Sequence, residues 1–260
     1  MAGAALITGG ARRIGRAIAL RLAERGYDVA ISYAASGAEA EALAEDLRAK
    51  GVRAASVAAD LLDDGAVAGL VPAAAAALGR PLDVLVNNAS IFEYDSIATL
   101  TLDTWERHHR SNLKAPVFLT QAFAAQVVGG VRDSAGEPLA AGSVINLIDQ
   151  RVRKLTPEFM TYTLAKMGLW AFTQTAAQAL APDIRVNAIG PGPTLQGARQ
   201  SAAHFKDQRA NTVLGRGSDP ADITRAVEFI LDCPALTGQL PGIDGGQHLG
   251  WQTPDVLGVE

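Results

Sequence analysis

The sequence predicts a single-domain α/β fold of the doubly wound type, with a mostly parallel, seven-stranded sheet and helices on both faces. Short apolar runs of strand length alternate with longer stretches of helical periodicity, and no low-complexity linker interrupts the series. A glycine-rich turn joins the first apolar run to the first helical stretch. The 260 residues, of which 48% are hydrophobic, are enough to form one large core.

Each element follows from its own pattern. Residues 4–8 form an apolar run that ends at paired glycines, as expected of a buried strand, and residues 13–25 place Ile14, Ile18 and Leu22 at helical spacing. Further strands are predicted at residues 29–33, 53–59, 83–87, 143–149, 184–189 and 239–244. Further helices are predicted at residues 38–50, 64–78, 103–126, 159–180 and 220–231. This alternation is typical of a parallel sheet.

Three segments show neither helical nor strand periodicity. Residues 129–142 are expected to form a polar surface loop. Residues 190–217 follow a strand, and we expect a substrate lid at about 193–217. The C-terminal tail, residues 245–260, contains Trp251, which we expect to pack against a neighbouring subunit.

Charge and composition exclude several classes of function. The net charge of −4 offers no basic surface for nucleic acid or an anionic membrane. Cys233 is the one cysteine, and cysteine and histidine are too few to suggest a metal site. The chain contains no apolar stretch of membrane-spanning length, and its N-terminal residues lead directly into a strand. We therefore expect a cytoplasmic protein that binds no nucleic acid, membrane or metal.

The glycine-rich turn is a candidate phosphate site. Gly9 and Gly15 flank Arg12 and Arg13, and such a turn lets backbone amides approach a pyrophosphate at a helix N-terminus. Its spacing departs from G-x-G-x-x-G, so a plain tight turn is the alternative.

The end of the second strand bears on the choice of cofactor. An acidic residue about 20 positions after the turn would bind a 2′-hydroxyl and repel a 2′-phosphate. The chain has Tyr33, Ala34, Ala35 and Ser36 there, while the two turn arginines can donate to a phosphate. The sequence therefore predicts NADPH, with solvated arginines as the alternative.

Tyr162 and Lys166 lie four residues apart, and therefore on one face of a predicted helix. A tyrosine with a pKa near 10 is a poor acid–base catalyst at neutral pH, and a nearby ammonium favours the phenolate. We therefore expect Lys166 to lower the pKa of Tyr162.

Together with the string Asn87-Asn88-Ala89-Ser90, Asn112 and the string Pro191-Gly192-Pro193-Thr194, these elements resemble the short-chain dehydrogenase/reductase family across essentially the whole chain. The resemblance implies a Rossmann fold, a ribose contact for Lys166, a water-linked proton relay through Asn112 and an adenine contact for Asp60. It also implies a homotetramer built partly from the helices that carry Asn112 and Tyr162. The expected catalytic residues are Asp149, Tyr162, Lys166 and Asn112. The expected cofactor-binding residues are Gly9, Arg12, Arg13, Ile14, Tyr33, Ser36, Asp60, Leu61, Asn88, Ala89, Ser90, Leu147, Tyr162, Lys166, Pro191, Gly192 and Thr194.

Departures from the general family pattern point to one branch. Asp149 stands thirteen residues before Tyr162, where most members have serine, and Arg13 replaces the middle glycine of the turn. Ser90 replaces a glycine after Asn-Asn-Ala, and Phe92 follows it by two. These features together resemble the pteridine reductase branch, which includes the bacterial dihydromonapterin reductases.

These residue types suit a pterin, which presents C=N bonds and a basic aminopyrimidine edge. Asp149 can accept from N–H groups or act as an acid if burial raises its pKa; a purely structural acceptor is the alternative. Phe92 can stack on a planar heterocycle, unless it belongs to the core. Arg13 can reach both cofactor phosphate and pterin heteroatoms. The expected substrate-binding residues are Arg13, Ser90, Phe92, Asp149 and Tyr162.

The predicted function is NADPH-dependent hydride transfer to a C=N bond of dihydromonapterin, dihydrobiopterin or dihydrofolate. A ketone or 3-oxoacyl reductase is the alternative within enzymes, and the change from serine to aspartate disfavours it. A non-catalytic NADPH-sensing protein is the alternative outside enzymes. Five other polar residues are expected to be solvated: His108 and His109 on a helix, and the loop residues Arg151, Arg153 and Lys154, for which contact with an anionic substrate tail such as a glutamate is the alternative.

Overall fold

The computed structural model describes residues 3–197 and 199–252 of the chain. Its strands, in chain order, are β1 (Ala4–Ile7), β2 (Asp28–Tyr33), β3 (Ala54–Ala58), β4 (Val84–Asn87), β5 (Val131–Arg132), β6 (Pro138–Leu139), β7 (Gly142–Leu147), β8 (Ile184–Pro191) and β9 (Gly242–Ile243). All but β5 and β6 form a seven-stranded sheet in which every pairing is parallel. The predicted α/β class is therefore confirmed.

Helices cover both faces of this sheet. They are α1 (Arg13–Glu24), α2 (Gly37–Arg48), α3 (Asp64–Leu78), α4 (Leu102–His109), α5 (Ala115–Gln126), α6 (Met160–Leu180), α7 (Ala202–Ala210) and α8 (Pro220–Asp232). Side chains define several of the starts. Asp63 accepts from two N–H groups of the first turn of α3, and Thr101 forms a capping box with Thr104 at α4.

The strand order predicts a ligand crevice at the carboxyl ends of the strands. The order is β3-β2-β1-β4-β7-β8-β9, so the chain moves outward from β1 to β3 and then returns to β4 on the other side of β1. In open α/β sheets, ligands bind outside the carboxyl ends of the strands where the order reverses. The candidate site is therefore expected beyond β1 and β4, which pair in register from Ala5↔Val84 to Ile7↔Val86.

The two larger of three apolar clusters in the core lie one on each face of the sheet. Adjacent residues of a strand point to opposite faces. Ile7 accordingly packs in the cluster with Leu22 of α1 and Ile230 of α8, whereas Leu6 packs in the cluster with Phe123 of α5. These side chains are fully buried, and burying each contributes about 1.5–3 kcal/mol. The buried strands hold the strand ends, and hence the site, in fixed relative positions.

Two segments predicted to be irregular contain regular structure. Strands β5 and β6 form a small hairpin within residues 129–142, where the Asp133 side chain accepts from the N–H groups of Ala135 and Glu137. Helix α7 lies within the predicted lid and is capped by Ser201. No described residue of α7 is buried, so the helix has no apolar periodicity by which its sequence could reveal it.

The helix predicted at residues 103–126 is divided in the structure. A π-helical turn, Arg110–Lys114, separates α4 from α5 and carries Asn112. Such wide turns occur often at functional sites. The last strand is shorter than the predicted 239–244 and comprises Gly242–Ile243 alone.

Among the described residues, no helix is both long and apolar enough to cross a membrane.

Candidate active site

The turn between β1 and α1 leaves its backbone open to a ligand. Gly9 has a φ of +60°, a left-handed conformation that favours glycine, and a β-carbon there would lie 3.1 Å from Ala89. At Gly15 a β-carbon would lie 2.5 Å from the Gly9 carbonyl oxygen. In the described part of the chain, the Arg12 side chain makes no capping hydrogen bond to α1. The N-terminal N–H groups of α1 are therefore available to an anion.

Arg13 joins this turn to the predicted lid. Its φ of +54° is unusual for a residue with a side chain and costs roughly 1–2 kcal/mol, which accounts for the glycine in the family pattern. Its guanidinium donates to the carbonyl oxygens of Gln196 at 2.9 Å and Leu195 at 3.1 Å. The Arg12 guanidinium lies 3.6 Å from the Glu39 carboxylate, and both side chains are exposed. The two arginines therefore have protein partners.

Four predicted cofactor residues gather at the carboxyl ends of β2 and β3, beside this turn: Tyr33, Ser36, Asp60 and Leu61. The Gly10 N–H donates to the Ser32 carbonyl oxygen at 3.1 Å and so holds the turn against β2. The exposed Asp60 carboxylate accepts the Leu62 N–H at 2.9 Å. Ile14 lies partly exposed in the first turn of α1.

Asn88 binds the end of β4 to the turn. Its side-chain amide donates to the carbonyl oxygens of Thr8 at 2.9 Å and Gly9 at 3.1 Å. The N–H groups of Asn88 and Ala89 each donate to the Thr8 hydroxyl oxygen at 3.0 Å. Thr8 follows β1 and Asn88 follows β4, so these hydrogen bonds hold the carboxyl ends of the two strands together.

Asn112 holds the segment that follows β4. Its Oδ1 accepts the Ile91 N–H at 2.9 Å and its Nδ2 donates to the Ile91 carbonyl oxygen at 2.8 Å. The Asn112 side chain is fully buried on the π-helical turn. The turn therefore points this amide at the loop that carries Ser90 and Phe92.

Tyr162, Asp149 and Lys166 meet at the ends of β7 and α6. The Tyr162 hydroxyl donates to Asp149 Oδ2 at 2.9 Å, and the Arg151 N–H donates to Asp149 Oδ1 at 2.8 Å. The Lys166 ammonium donates to the Leu147 carbonyl oxygen at 2.8 Å and lies 5.7 Å from the centre of the Tyr162 ring. Tyr162 is 5% exposed and Lys166 is 2% exposed, whereas Asp149 is partly accessible.

Burial sets the titration of these three groups. It raises the pKa of Asp149, against the hydrogen bonds of Arg151 and Tyr162. Burial, followed by the Asp149 charge, raises the pKa of Tyr162 well above its ordinary value. Burial also lowers the pKa of Lys166 to about 8, against the attraction of Asp149. The net shift of the Tyr162 pKa is upward, because burial and the carboxylate act against the lowering that is expected from Lys166.

An aromatic surface adjoins the phenol. The Phe92 ring stacks on Phe159 with centroids 4.4 Å apart and meets Tyr162 edge-on at 4.7 Å. Phe92 is 44% exposed, so the alternative that it belongs to the core is wrong. Phe159 has a φ of +54°, and its N–H donates to the Asp95 carbonyl oxygen at 2.8 Å. Strained residues of this kind often lie at functional sites.

His108 is not solvated, contrary to the sequence prediction. It is fully buried, and its Nε2 accepts the Glu93 N–H at 3.1 Å. Its Nδ1 therefore carries the proton and donates to the Thr161 hydroxyl oxygen at 2.6 Å, and the Thr161 hydroxyl donates to the buried Asp95 carboxylate. Burial lowers the pKa of His108 and favours the neutral ring. Sequence reasoning missed Asp95 and Thr161, because neither lies in a recognisable motif.

The remaining predicted residues border the same crevice. Pro191 ends β8 and Gly192 follows it, and a β-carbon on Gly192 would lie 2.6 Å from Asp244. The Thr194 hydroxyl donates to the Gly192 carbonyl oxygen at 3.1 Å. Ser90 lies beside Tyr162, and its hydroxyl donates to the Ile91 carbonyl oxygen at 3.3 Å.

The basic loop after Asp149 has specific partners rather than solvent alone. The Arg151 guanidinium donates to the Thr156 hydroxyl at 2.8 Å and lies 4.8 Å from the centre of the Phe159 ring. Arg153 donates to the Leu240 carbonyl oxygen. The Lys154 ammonium lies 3.5 Å from the carbonyl oxygens of Gln247 and Gly250, which ties the loop to the described part of the tail. Residues 253–260 of the predicted tail lie outside the described residues.

Two kinds of sequence comparison find similar proteins. Residues 3–207 match the family model described as short chain dehydrogenase. The 3-oxoacyl-[acyl-carrier-protein] reductase FabG of Staphylococcus aureus is 32% identical over 254 residues, which are 96% of this chain and 99% of that protein.

Two solved structures are similar in both fold and sequence. FolM alternative dihydrofolate reductase 1 from Brucella suis, in complex with NADP, is 44% identical with a TM-score of 0.89 and 97% coverage of both chains. The protein of that name from Brucella canis, complexed with NADP, is 43% identical with a TM-score of 0.88 and 98% coverage of both chains. The resemblance predicted from the motifs is confirmed, and the chain belongs to the short-chain dehydrogenase/reductase family.

Proposed function

We propose that this protein is an NADPH-dependent reductase of a C=N bond in a pterin-type substrate such as dihydromonapterin, dihydrobiopterin or dihydrofolate. The observation that carries the proposal is the 2.9 Å hydrogen bond from the Tyr162 hydroxyl to Asp149, at the position where most family members have serine. The two Brucella structures named alternative dihydrofolate reductases support this substrate class.

The residues at the crevice suit NADPH. The open turn around Gly9 and the uncapped start of α1 suit a pyrophosphate. Arg12 and Arg13 would hold the 2′-phosphate with Ser36, because β2 is followed by Ala34 and Ala35 rather than by an acid. The related structures that contain NADP support this choice. When bound, NADPH supplies the hydride that reaches the substrate carbon.

The chain's own residues supply and position the proton. Reduction of C=N requires a proton at nitrogen, and the Tyr162 hydroxyl is the acid we assign to it. Asp149, whose pKa is raised by burial, accepts the 2.9 Å hydrogen bond from this hydroxyl and so positions its proton. The buried Lys166 ammonium places a positive charge 5.7 Å from the centre of the Tyr162 ring. Asn112, which is held to Ile91 by both of its amide atoms, supports the water-linked return of the proton.

The same group of residues has the chemistry to recognise a pterin. The half-exposed Phe92 offers a face for a planar heterocycle. Asp149 can accept hydrogen bonds from the aminopyrimidine edge. Ser90 stands beside Tyr162, and Arg13 would have to exchange its lid carbonyl partners in order to contact cofactor or substrate.

Reduction of a 3-oxoacyl thioester is the second candidate. The FabG relative, 32% identical over 96% of the chain, favours it. The carboxylate of Asp149 disfavours it, because a ketone oxygen that gains a proton needs hydrogen-bond donors, and an ionised carboxylate only accepts. A non-catalytic NADPH sensor would have no need of the bonded arrangement of Tyr162, Asp149 and Lys166.

The exchange of Asp149 for the usual family residue tests this assignment. We expect Asp149→Ser to lower kcat/KM for 7,8-dihydromonapterin by about 10²-fold, the effect of losing a positioned acid–base group, while turnover of a 3-oxoacyl thioester does not fall. NADPH consumption followed by absorbance measures both, with unchanged NADPH affinity as the control for folding. Full dihydropterin turnover by the variant would overturn the role given to Asp149.

We also propose a cytoplasmic homotetramer. The helices near Asn112 and Tyr162 expose large apolar side chains that such a contact would cover: Trp105, Phe118 and Leu164.

A further inference from the structure

Two guanidinium groups flank the aromatic surface beside Tyr162. The Arg199 guanidinium lies 5.4 Å from the centre of the Phe92 ring and 5.8 Å from that of Phe159. The Arg151 guanidinium lies 4.8 Å from the centre of the Phe159 ring. These arginines come from different parts of the chain, one from the loop after β7 and one from the predicted lid, and both approach the same stacked pair.

Hydrogen bonds hold both guanidinium groups in place without neutralising them. Arg199 donates to the Phe92 carbonyl oxygen, and Arg151 donates to the Thr156 hydroxyl. Among the described residues, no ion pair joins either guanidinium to a carboxylate. The carboxylate of Glu93 is near Arg199, but it is already paired with Arg107 at 2.8 Å. Both positive charges can therefore attract an anion, on a protein whose net charge is −4, and the Arg151 charge acts on Asp149 as well.

We propose that Phe92, Phe159, Arg151 and Arg199 form a subsite for the tail of a folate-type substrate, in which an aryl ring is followed by a carboxylate. The inference rests on the proposed pterin reductase function and selects, within it, dihydrofolate over pterins with uncharged side chains. The aryl ring lies against the edge of the stacked Phe92 and Phe159 rings, which leaves the open face of Phe92 to the pterin, and the two guanidinium groups bind the carboxylate. The left-handed conformation of Phe159 fits this assignment, because it keeps the ring on Phe92 at an energetic cost.

Variants of the two arginines test the subsite. We expect Arg199→Gln and Arg151→Gln each to raise KM for 7,8-dihydrofolate by about tenfold, the effect of one lost charge-assisted hydrogen bond. In Arg199→Gln kcat should be nearly unchanged, whereas Arg151→Gln also removes a charge that acts on Asp149 and therefore changes kcat for both substrates. KM for 7,8-dihydromonapterin, which has an uncharged side chain, should change less than twofold. Lys154→Gln is the matched control, because Lys154 shares the basic loop but contacts the carbonyl oxygens of Gln247 and Gly250.

A binding measurement separates this inference from the proposed function. Calorimetric titration of NADP-saturated protein with p-aminobenzoyl-glutamate should show affinity that both arginine variants lose and Lys154→Gln retains. Equal affinity in the wild type and both arginine variants would overturn the subsite, even if dihydromonapterin is reduced. Failure of the wild type to reduce either pterin would overturn the proposed function, whatever the titration shows.

Discussion

Tyr162, Asp149 and Lys166 form one cluster, in which the charge of the partly accessible Asp149 affects the pKa of its two buried neighbours. The phenol keeps its proton because it is buried and donates to a carboxylate. The ammonium keeps its charge at neutral pH although burial lowers its pKa to about 8. The cluster thus holds a proton next to the site of reduction, and its burial costs stability.

That cost gives a pH-dependent prediction for Lys166. The pKa of Lys166 is about 8 in the folded chain, and it is taken as 10.5 in the unfolded chain. Between pH 8 and pH 10.5 the unfolded state therefore binds more protons than the folded state. The contribution of Lys166 to the free energy of unfolding therefore rises as pH increases from 8 to 10.5, by up to about 3 kcal/mol. Urea unfolding of the wild type and Lys166→Met at several pH values measures it. A constant difference between the two proteins across this range would contradict the assignment.

At this scale the sequence predicts residues that belong to motifs and misses those that act through tertiary contacts. Tyr162 and Lys166 are identified by their match to the family pattern, and Asp149 because it stands where most members of the family have serine. His108 was expected to be solvated, because only the fold brings Thr161 and the Glu93 N–H to its ring. Arg199 could not be placed, because the lid has no periodicity that reports where its side chains lie.

Among the elements, the start of α6 depends on a buried polar network. The Thr161 hydroxyl links the His108 ring to the Asp95 carboxylate, and all three side chains are buried. This network fixes Phe159 and Tyr162 relative to the loop after β4. It explains why two histidine neighbours on one predicted helix have different environments: His109 is partly exposed, whereas His108 is fully buried.

We expect Thr161→Val to lower the free energy of unfolding by about 1–3 kcal/mol, because it leaves buried groups on Asp95 and His108 without their partner. Denaturant unfolding measures the loss. Thr163→Val is the matched control, since the Thr163 hydroxyl is buried on the same helix with no hydrogen-bond partner among the described residues. If both variants lowered the free energy of unfolding equally, the hydrogen-bond network of Thr161 would make no specific contribution to stability.

The predicted lid is joined to the glycine-rich turn through Arg13. The two hydrogen bonds from its guanidinium to Leu195 and Gln196 are the contacts that a cofactor phosphate would compete for. We expect Arg13→Gln to increase deuterium uptake in residues 195–210 by about fivefold, the effect of losing roughly 1 kcal/mol of hydrogen bonding.

Arg12→Gln provides the control for this exchange experiment. Arg12 lies in the same turn, but its guanidinium is near the exposed Glu39 rather than the lid. Unchanged uptake in Arg13→Gln, or the same increase in both variants, would show that Arg13 does not tether the lid.

For the whole molecule, hydrophobic periodicity is enough to predict the class of fold. Alternating strand and helix patterns predict the parallel sheet, and the reversal of strand order at β1 and β4 then places the crevice. Periodicity does not reveal an element that buries few side chains, such as α7. It also does not reveal a short hairpin whose structure depends on the residues of its turn, such as that of β5 and β6. The π-helical turn at Arg110–Lys114 is also hidden, because it leaves the helical pattern on both sides intact.

The central claim is that this site reduces a pterin C=N bond rather than a 3-oxoacyl ketone. Internal competition tests it most directly: the wild type is given equal concentrations of 7,8-dihydromonapterin and a 3-oxoacyl thioester with NADPH that carries two deuterium atoms at C4. Mass spectrometry of both products gives the ratio of their kcat/KM values. We expect deuterium predominantly in the tetrahydropterin, at a ratio of about 10² or more. Deuterium predominantly in the hydroxyacyl product would contradict the account and make Asp149 a structural replacement for serine.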